Sequence, residues 1–232
     1  MGKPIIAAIT AAVLTIQTAH SAPWTQDAGD WYVQAAILGQ NIDSEQAVRV
    51  ETYAEYGLTK AWTLTGQVEG VVFPDIAGFD QYAYRLTGRR QFWRRGSLML
   101  AAEGGLVGGE AIGGLIGGCD TPGGEARLSF GGAGTRGEDD RSWFFFTDAA
   151  IREHGNCRRQ RFEAGYGQEI FPNWIAVNKV FYDRGGGLAQ SAKVEATVLR
   201  RFKSTDLGIG IRQEFGGEFA EFGVLLSVET RF

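Results

Sequence analysis

Val224-Leu225-Leu226-Ser227-Val228-Glu229-Thr230-Arg231-Phe232, the last nine residues of a 232-residue sequence, repeat with a period of two. Phe222, Val224, Leu226, Val228, Thr230 and Phe232 fall on one face, and Glu221, Glu229 and Arg231 fall on the other. Successive side chains of an extended backbone point to opposite sides, so this alternation is the pattern of a strand with one apolar and one polar face.

The same alternation recurs toward the N-terminus. Val48, Val50, Thr52, Ala54 and Tyr56 oppose Arg49, Glu51, Tyr53 and Glu55; Trp62, Leu64, Gly66, Val68 and Val72 oppose Thr63, Thr65, Gln67 and Glu69. Tyr82, Tyr84, Leu86 and Phe92 oppose Arg85, Arg89 and Gln91, and Ala192, Val194, Ala196 and Val198 oppose Lys193, Glu195 and Thr197. Segments of this kind occupy roughly 30–40, 46–57, 61–73, 80–92, 97–108, 124–134, 142–153, 159–170, 174–184, 190–202, 206–215 and 218–232. That makes about twelve strands. Ten or fourteen stay open, because glycine-rich strands define their register weakly.

Composition agrees with a sheet. The chain has 34 glycines without a strict period, only 5 prolines, and 6 Trp, 7 Tyr and 15 Phe, which excludes collagen and low-complexity disorder. At 44% hydrophobic and 22% charged residues, it is long enough for one domain or at most two.

The first residues set the expected compartment. Lys3, the apolar run Ile5 to Ile16, and small residues at Ala19, Ser21 and Ala22 read as a signal peptide over 1–21, cleaved after Ser21 or Ala22. Cleavage takes Lys3, leaving 22 basic against 27 acidic residues, a net charge of −5. That balance argues against nucleic acid as a partner.

No later run is apolar enough for a membrane helix, since 96–118 is interrupted by Glu103 and Glu110 and by nine glycines. Two-faced strands joined by short turns are instead what a transmembrane antiparallel β-barrel requires, because every backbone group facing lipid must be paired. Aromatics near strand ends, at Trp31, Trp62, Trp93, Trp143, Trp174 and Phe232, fit the interfacial girdles of such a barrel. An even strand count puts both termini on the periplasmic side with the short links 58–60, 93–96, 171–173 and 203–206, and places the links 109–123 and 185–189 outside. The glycine clusters have no phosphate-binding context and read as strand bends, or as a thinned wall beside bulky lumenal side chains.

The final strand resembles the terminal signature of Gram-negative outer-membrane barrels, with Phe222, Val224, Leu226, Val228, Thr230 and Phe232 matching position by position. The resemblance implies residence in the outer membrane, contact with its lipid, and recognition by the barrel assembly machinery. A second likeness is carried by Ala22-Pro23-Trp24-Thr25, Tyr53-Ala54-Glu55-Tyr56-Gly57-Leu58-Thr59 and Trp62-Thr63-Leu64. These are similar to proteobacterial outer-membrane proteins loosely linked to exopolysaccharide genes. It implies polysaccharide passage or anchoring as a role and polysaccharide export components as partners, and it carries no catalytic motif.

With Phe232 facing lipid, alternation turns the charged residues inward. The expected lumen-lining set is Arg49, Glu51, Glu55, Glu69, Arg85, Arg89, Glu103, Glu125, Arg127, Asp148, Arg152, Arg161, Glu163, Lys193, Glu195, Arg201, Arg212 and Glu214, with Glu221, Glu229 and Arg231. Acids and bases nearly balance, and a lumen of about twelve strands is one that long side chains can largely fill. Two readings follow: a structural ladder of paired charges, or a narrow polar conduit with weak ion selectivity. Arg85 and Glu103 are one expected pair.

Chemistry has little to work with. The mature chain would keep one histidine, His154, in an expected exposed external turn, with Asp120 and Asp183 as conceivable partners. A surface hydrolase using His154 is therefore the alternative to a structural or pore-forming barrel. No nucleophile, metal or cofactor motif occurs. The two cysteines, Cys119 and Cys157, fall in links expected on the same external side, and in an oxidising compartment they are expected to form a disulfide.

Overall fold

The computed structural model describes residues 23–42, 45–76, 78, 80–109, 121–137, 139–155, 157–185, 190–215 and 220–232. The expected signal peptide and Cys119 lie outside them. Twelve strands form: β1 (Trp31–Ile42), β2 (Glu45–Thr59), β3 (Trp62–Val72), β4 (Gln81–Arg95), β5 (Leu98–Gly109), β6 (Gly123–Arg136), β7 (Arg141–His154), β8 (Cys157–Phe171), β9 (Trp174–Arg184), β10 (Gln190–Phe202), β11 (Thr205–Phe215) and β12 (Glu221–Arg231). Each pairs antiparallel with its sequence neighbours, and β1 pairs with β12 to close the barrel. The counts of ten and fourteen are thereby excluded.

The seam closes at the chain's end. Trp31 N donates to Phe232 O at 2.8 Å, and Phe232 N donates to Trp31 O at 3.1 Å. Strands of 11 to 15 residues are long enough to cross a membrane. At about 3.3 Å per residue and a tilt of about 40°, eleven residues rise about 28 Å, which matches an apolar band about 25 Å tall.

Five short turns stand at the end where the described chain enters and leaves the barrel, the end expected to face the periplasm. Three of the two-residue turns place a residue in the left-handed region, at Gly96 (φ 59°), Asn173 (φ 64°) and Lys203 (φ 53°). Bulges at 57/59, 91/93 and 169/171 sit beside the turns at 60–61, 96–97 and 172–173. One consequence corrects the expected link 93–96: after its bulge β4 continues through Trp93, Arg94 and Arg95, leaving only two residues in the turn.

The outer wall is apolar. Leu64, Val68, Leu86, Leu106, Ile209, Val224 and Leu226 are exposed on it. In water such a belt would carry a large hydrophobic cost, whereas in lipid it is the solvated surface. Trp31, Trp62, Trp93, Trp143 and Trp174 ring the periplasmic edge. There Trp31 packs on Tyr56 with centroids 4.8 Å apart, and Arg90 and Arg200 lie over Trp62 and Trp174 at 5.6 and 5.0 Å. The six matching residues of β12, Phe222 through Phe232, all lie on this outward face.

Candidate functional site: the barrel lumen

Of the eighteen side chains expected inside, thirteen are buried, and Glu69, Arg152, Arg161, Arg201 and Arg212 are partly so. They are joined into clusters that reach across intervening strands. Arg212 on β11 spans β12 and β1 to bind Glu51 at 2.5 Å, and it also binds Glu195 at 2.7 Å, to which Lys179 adds a contact at 3.1 Å. Lys193 holds Glu221 at 2.7 Å and Glu214 at 3.0 Å, while Arg49 reaches Glu221 at 3.2 Å.

On the opposite wall Glu125 collects Arg127 at 2.9 Å, Arg85 at 3.2 Å and a close contact from Arg152. Asp148 accepts a close hydrogen bond from Ser129, and Glu163 stands opposite it in register. Near the periplasmic end Asp206 bridges Arg201 and Arg231, and Gln34 donates to Glu229 at 3.1 Å. Buried charges persist only when partnered, so this density of ion pairs is what permits a filled polar interior.

Register gives Glu103 a nearer partner than the expected Arg85. Arg89, not Arg85, stands opposite Glu103 across β4 and β5, and it binds Glu103 at 3.0 Å. Arg85 stands opposite Val107 and spans β5 to Glu125.

Among the inward charges that escaped the sequence reading are Lys179, Arg159, Asp183 and Asp206. Lys179 follows the inward apolar residues Ile175 and Val177, which hide the polar face of β9. Arg159 binds Asp183 at 2.9 Å near the extracellular rim.

A second layer, also unforeseen, fills the periplasmic half of the bore. Phe144 and Phe146, both 0% exposed, face inward with Met99, Ile175, Val177 and Leu199, and Trp24 from outside the barrel strands packs into their midst. The run Trp143-Phe144-Phe145-Phe146 is aromatic on both faces, so alternation could not reveal it. The two phenylalanines lie over Gly167 and Gly165, their partners on β8, where a Cβ would strike the rings. Here glycines do thin the wall beneath bulky lumenal groups.

Trp24 arrives on a segment, 23–30, that enters the bore and crosses it. Gly29 N donates to Gly57 O and Gly57 N to Asp30 O, and a Cβ at Gly57 would collide with the Asp27 carbonyl. Gln26 N donates to Thr63 Oγ1 at 2.9 Å, and Gln26 Nε2 donates to Glu55 at 2.5 Å. Trp24 O accepts from Arg89 Nη1 at 2.8 Å, and Pro23 reaches β6, where Gly131 leaves room for its ring. Arg89 is 0% exposed and also binds Glu55 and the Tyr53 hydroxyl, at 2.8 and 2.7 Å. The segment is thus fastened to β2, β3 and β4 and abuts β6.

His154 differs from expectation. It is the last residue of β7, buried to 5% exposure, and its Nδ1 lies 2.9 Å from the Thr121 carbonyl. Asp183 is engaged by Arg159, and Asp120 lies outside the described residues. No accessible His/Asp pair exists among the described residues. Cys157 opens β8 at the extracellular end, and no free cysteine occurs among the described residues.

No family model matches the chain, and no curated protein matches it in sequence. Solved structures do. The COG4313 outer membrane channel from Pseudomonas putida F1 aligns with a TM-score of 0.57 at 14% identity, covering 93% of this chain and 100% of that one. The KdgM porin aligns with a TM-score of 0.55 at 8% identity, covering 86% and 99%. A further KdgM structure, described as in complex with disordered oligogalacturonate, aligns at 0.53. The chain has the fold of the outer-membrane β-barrels. At these identities the fold is what is shared.

Proposed function

We propose that the protein is a narrow outer-membrane channel that rests closed, without enzymatic activity. The observation that carries this reading is the buried Arg89, which ties the crossing segment 23–26 to the wall by its bond to Trp24 O. Above that crossing the bore is occupied by ion pairs rather than by a ring of one sign, so a solute that enters exchanges partners with both acids and bases. Such a wall gives weak ion selectivity.

A polar chain able to accept and donate hydrogen bonds suits this lining better than a single inorganic ion. An envelope polysaccharide strand is the cargo class we infer, with export components as its partners. What supports it is the mixed charge of the lining and the second likeness noted in the sequence. The outward face of β12 supports entry through the barrel assembly machinery.

Planar-bilayer recording tests the reading. The full mature protein should give small or no steady current, and removal of 23–28 should raise conductance. Large steady currents from the unaltered protein would contradict a closed bore. Silence of the shortened protein would make it a scaffold rather than a channel.

A further inference from the structure

Outward-facing charge is rare in the extracellular half of the wall. Among the described residues only Glu153, Arg158 and Arg184 carry it, and all three lie on β7, β8 and β9. Arg184 stands opposite Gln160, and Arg158 is the next outward residue of β8 beyond Gln160. The two guanidiniums are therefore diagonal neighbours, about 7–8 Å apart at the backbone. Both are exposed, and among the described residues neither makes an ion pair, not even Arg158 with Glu153 opposite it. Apart from Arg161, the inward arginines named above each stand in an ion pair, so this exposed outward pair is set apart from them.

Directly below, toward the membrane centre, lies a groove of about 550 Å³. Ala126 and Ala149 form its small-residue floor, and Leu128, Ile151, Phe162 and Tyr182 form its sides. Register fixes the order of levels. Phe162 and Tyr182 are opposite each other, one outward step below Gln160 and Arg184. Aromatic residues mark the membrane interface, so the arginines above them stand at the level of the outer-leaflet headgroups.

We propose that this part of the wall binds a phosphorylated, multiply acylated glycolipid of the outer leaflet, of the lipid A class. Arg158 and Arg184 would hold a phosphate, for which the planar guanidinium fork is well matched. One acyl chain would lie in the groove against Ala126 and Ala149. A basic pair without the groove would serve any anion, and a groove without the pair any lipid; their vertical alignment selects a molecule with both parts. The inference does not depend on whether the bore conducts.

The test uses the folded full-length barrel in neutral detergent, with retained lipid read by native mass spectrometry. Bisphosphorylated lipid A is titrated against its dephosphorylated form. The unaltered barrel should retain the first and not the second. Arg158→Gln with Arg184→Gln should weaken retention roughly tenfold to thirtyfold, the scale expected for two cationic side chains at a charged surface. Ala149→Trp, which fills the groove, should weaken it while leaving the arginines in place. Arg90→Gln with Arg200→Gln at the periplasmic edge should leave it unchanged. Equal retention by the Arg158/Arg184 variant, equal loss in the Arg90/Arg200 variant, or displacement of the glycolipid by inorganic phosphate would each overturn the proposal. The outward positions leave folding untouched, and a normal gel shift between unheated and heated samples verifies that for each variant.

Discussion

Arg89 donates through a single nitrogen, Nη1, to both the Trp24 carbonyl and the Glu55 carboxylate, each at 2.8 Å. One side chain of the wall thus secures the crossing segment and neutralises two buried acids, since its Nε also binds Glu103 at 3.0 Å.

Arg89→Met should destabilise the barrel by about 3–5 kcal/mol, because it strands Glu55 and Glu103 without their cation. Adding Glu103→Gln should restore part of that loss, as one stranded charge is removed. Urea unfolding in lipid vesicles measures both, and equal stability of Arg89→Met and the unaltered protein would remove Arg89 from this role.

Gly167→Val should cost about 1–3 kcal/mol by driving the Phe144 ring out of its place. Gly66→Ala, at a site with nothing within 4 Å of a new Cβ, should change stability by no more than about 0.5 kcal/mol. The contrast between the two in the same unfolding assay checks whether the wall is thinned for Phe144.

Lys203 adopts φ 53° in the turn between β10 and β11. Lys203→Gly should stabilise the protein by about 1 kcal/mol, since glycine relieves the Cβ contact that disfavours left-handed backbone. A higher unfolding midpoint at unchanged cooperativity would show it.

A bridge between Cys119 and Cys157 would close a loop of about 38 residues and stabilise the barrel by roughly 3–4 kcal/mol. Thiol labelling of denatured protein should show no reactive cysteine before reduction and two after it. Full labelling before reduction excludes the bridge.

Much of the wall was legible because lipid outside and ion pairs inside impose a strict period of two. Alternation placed Arg49, Glu195 and Arg212 inward without any knowledge of their neighbours. It could not pair them, since Arg212 meets Glu51 only after two further strands intervene. The Arg89 and Glu103 pairing depended on a register shifted by the bulge at 91/93. His154 looked like a turn residue because Gly155 and Asn156 follow it, yet the strand runs to its position and turns the ring inward. Segment 23–30 was opaque for another reason: it has no alternation, and its partners are spread over eight different strands.

The cradle of Trp24 has a consequence for the order in which the molecule is made. Its walls come from Met99 on β5, Phe144 and Phe146 on β7, Ile175 and Val177 on β9, and Leu199 on β10. Although Trp24 lies near the start of the described chain, its resting place does not exist until the six strands from β5 to β10 stand side by side. The earliest part of the barrel is therefore among the last to find its seat. Among the described residues Trp24 is also the only tryptophan turned into the bore, so a late change in its emission, after the five rim tryptophans have reached the membrane surface, would time that arrival.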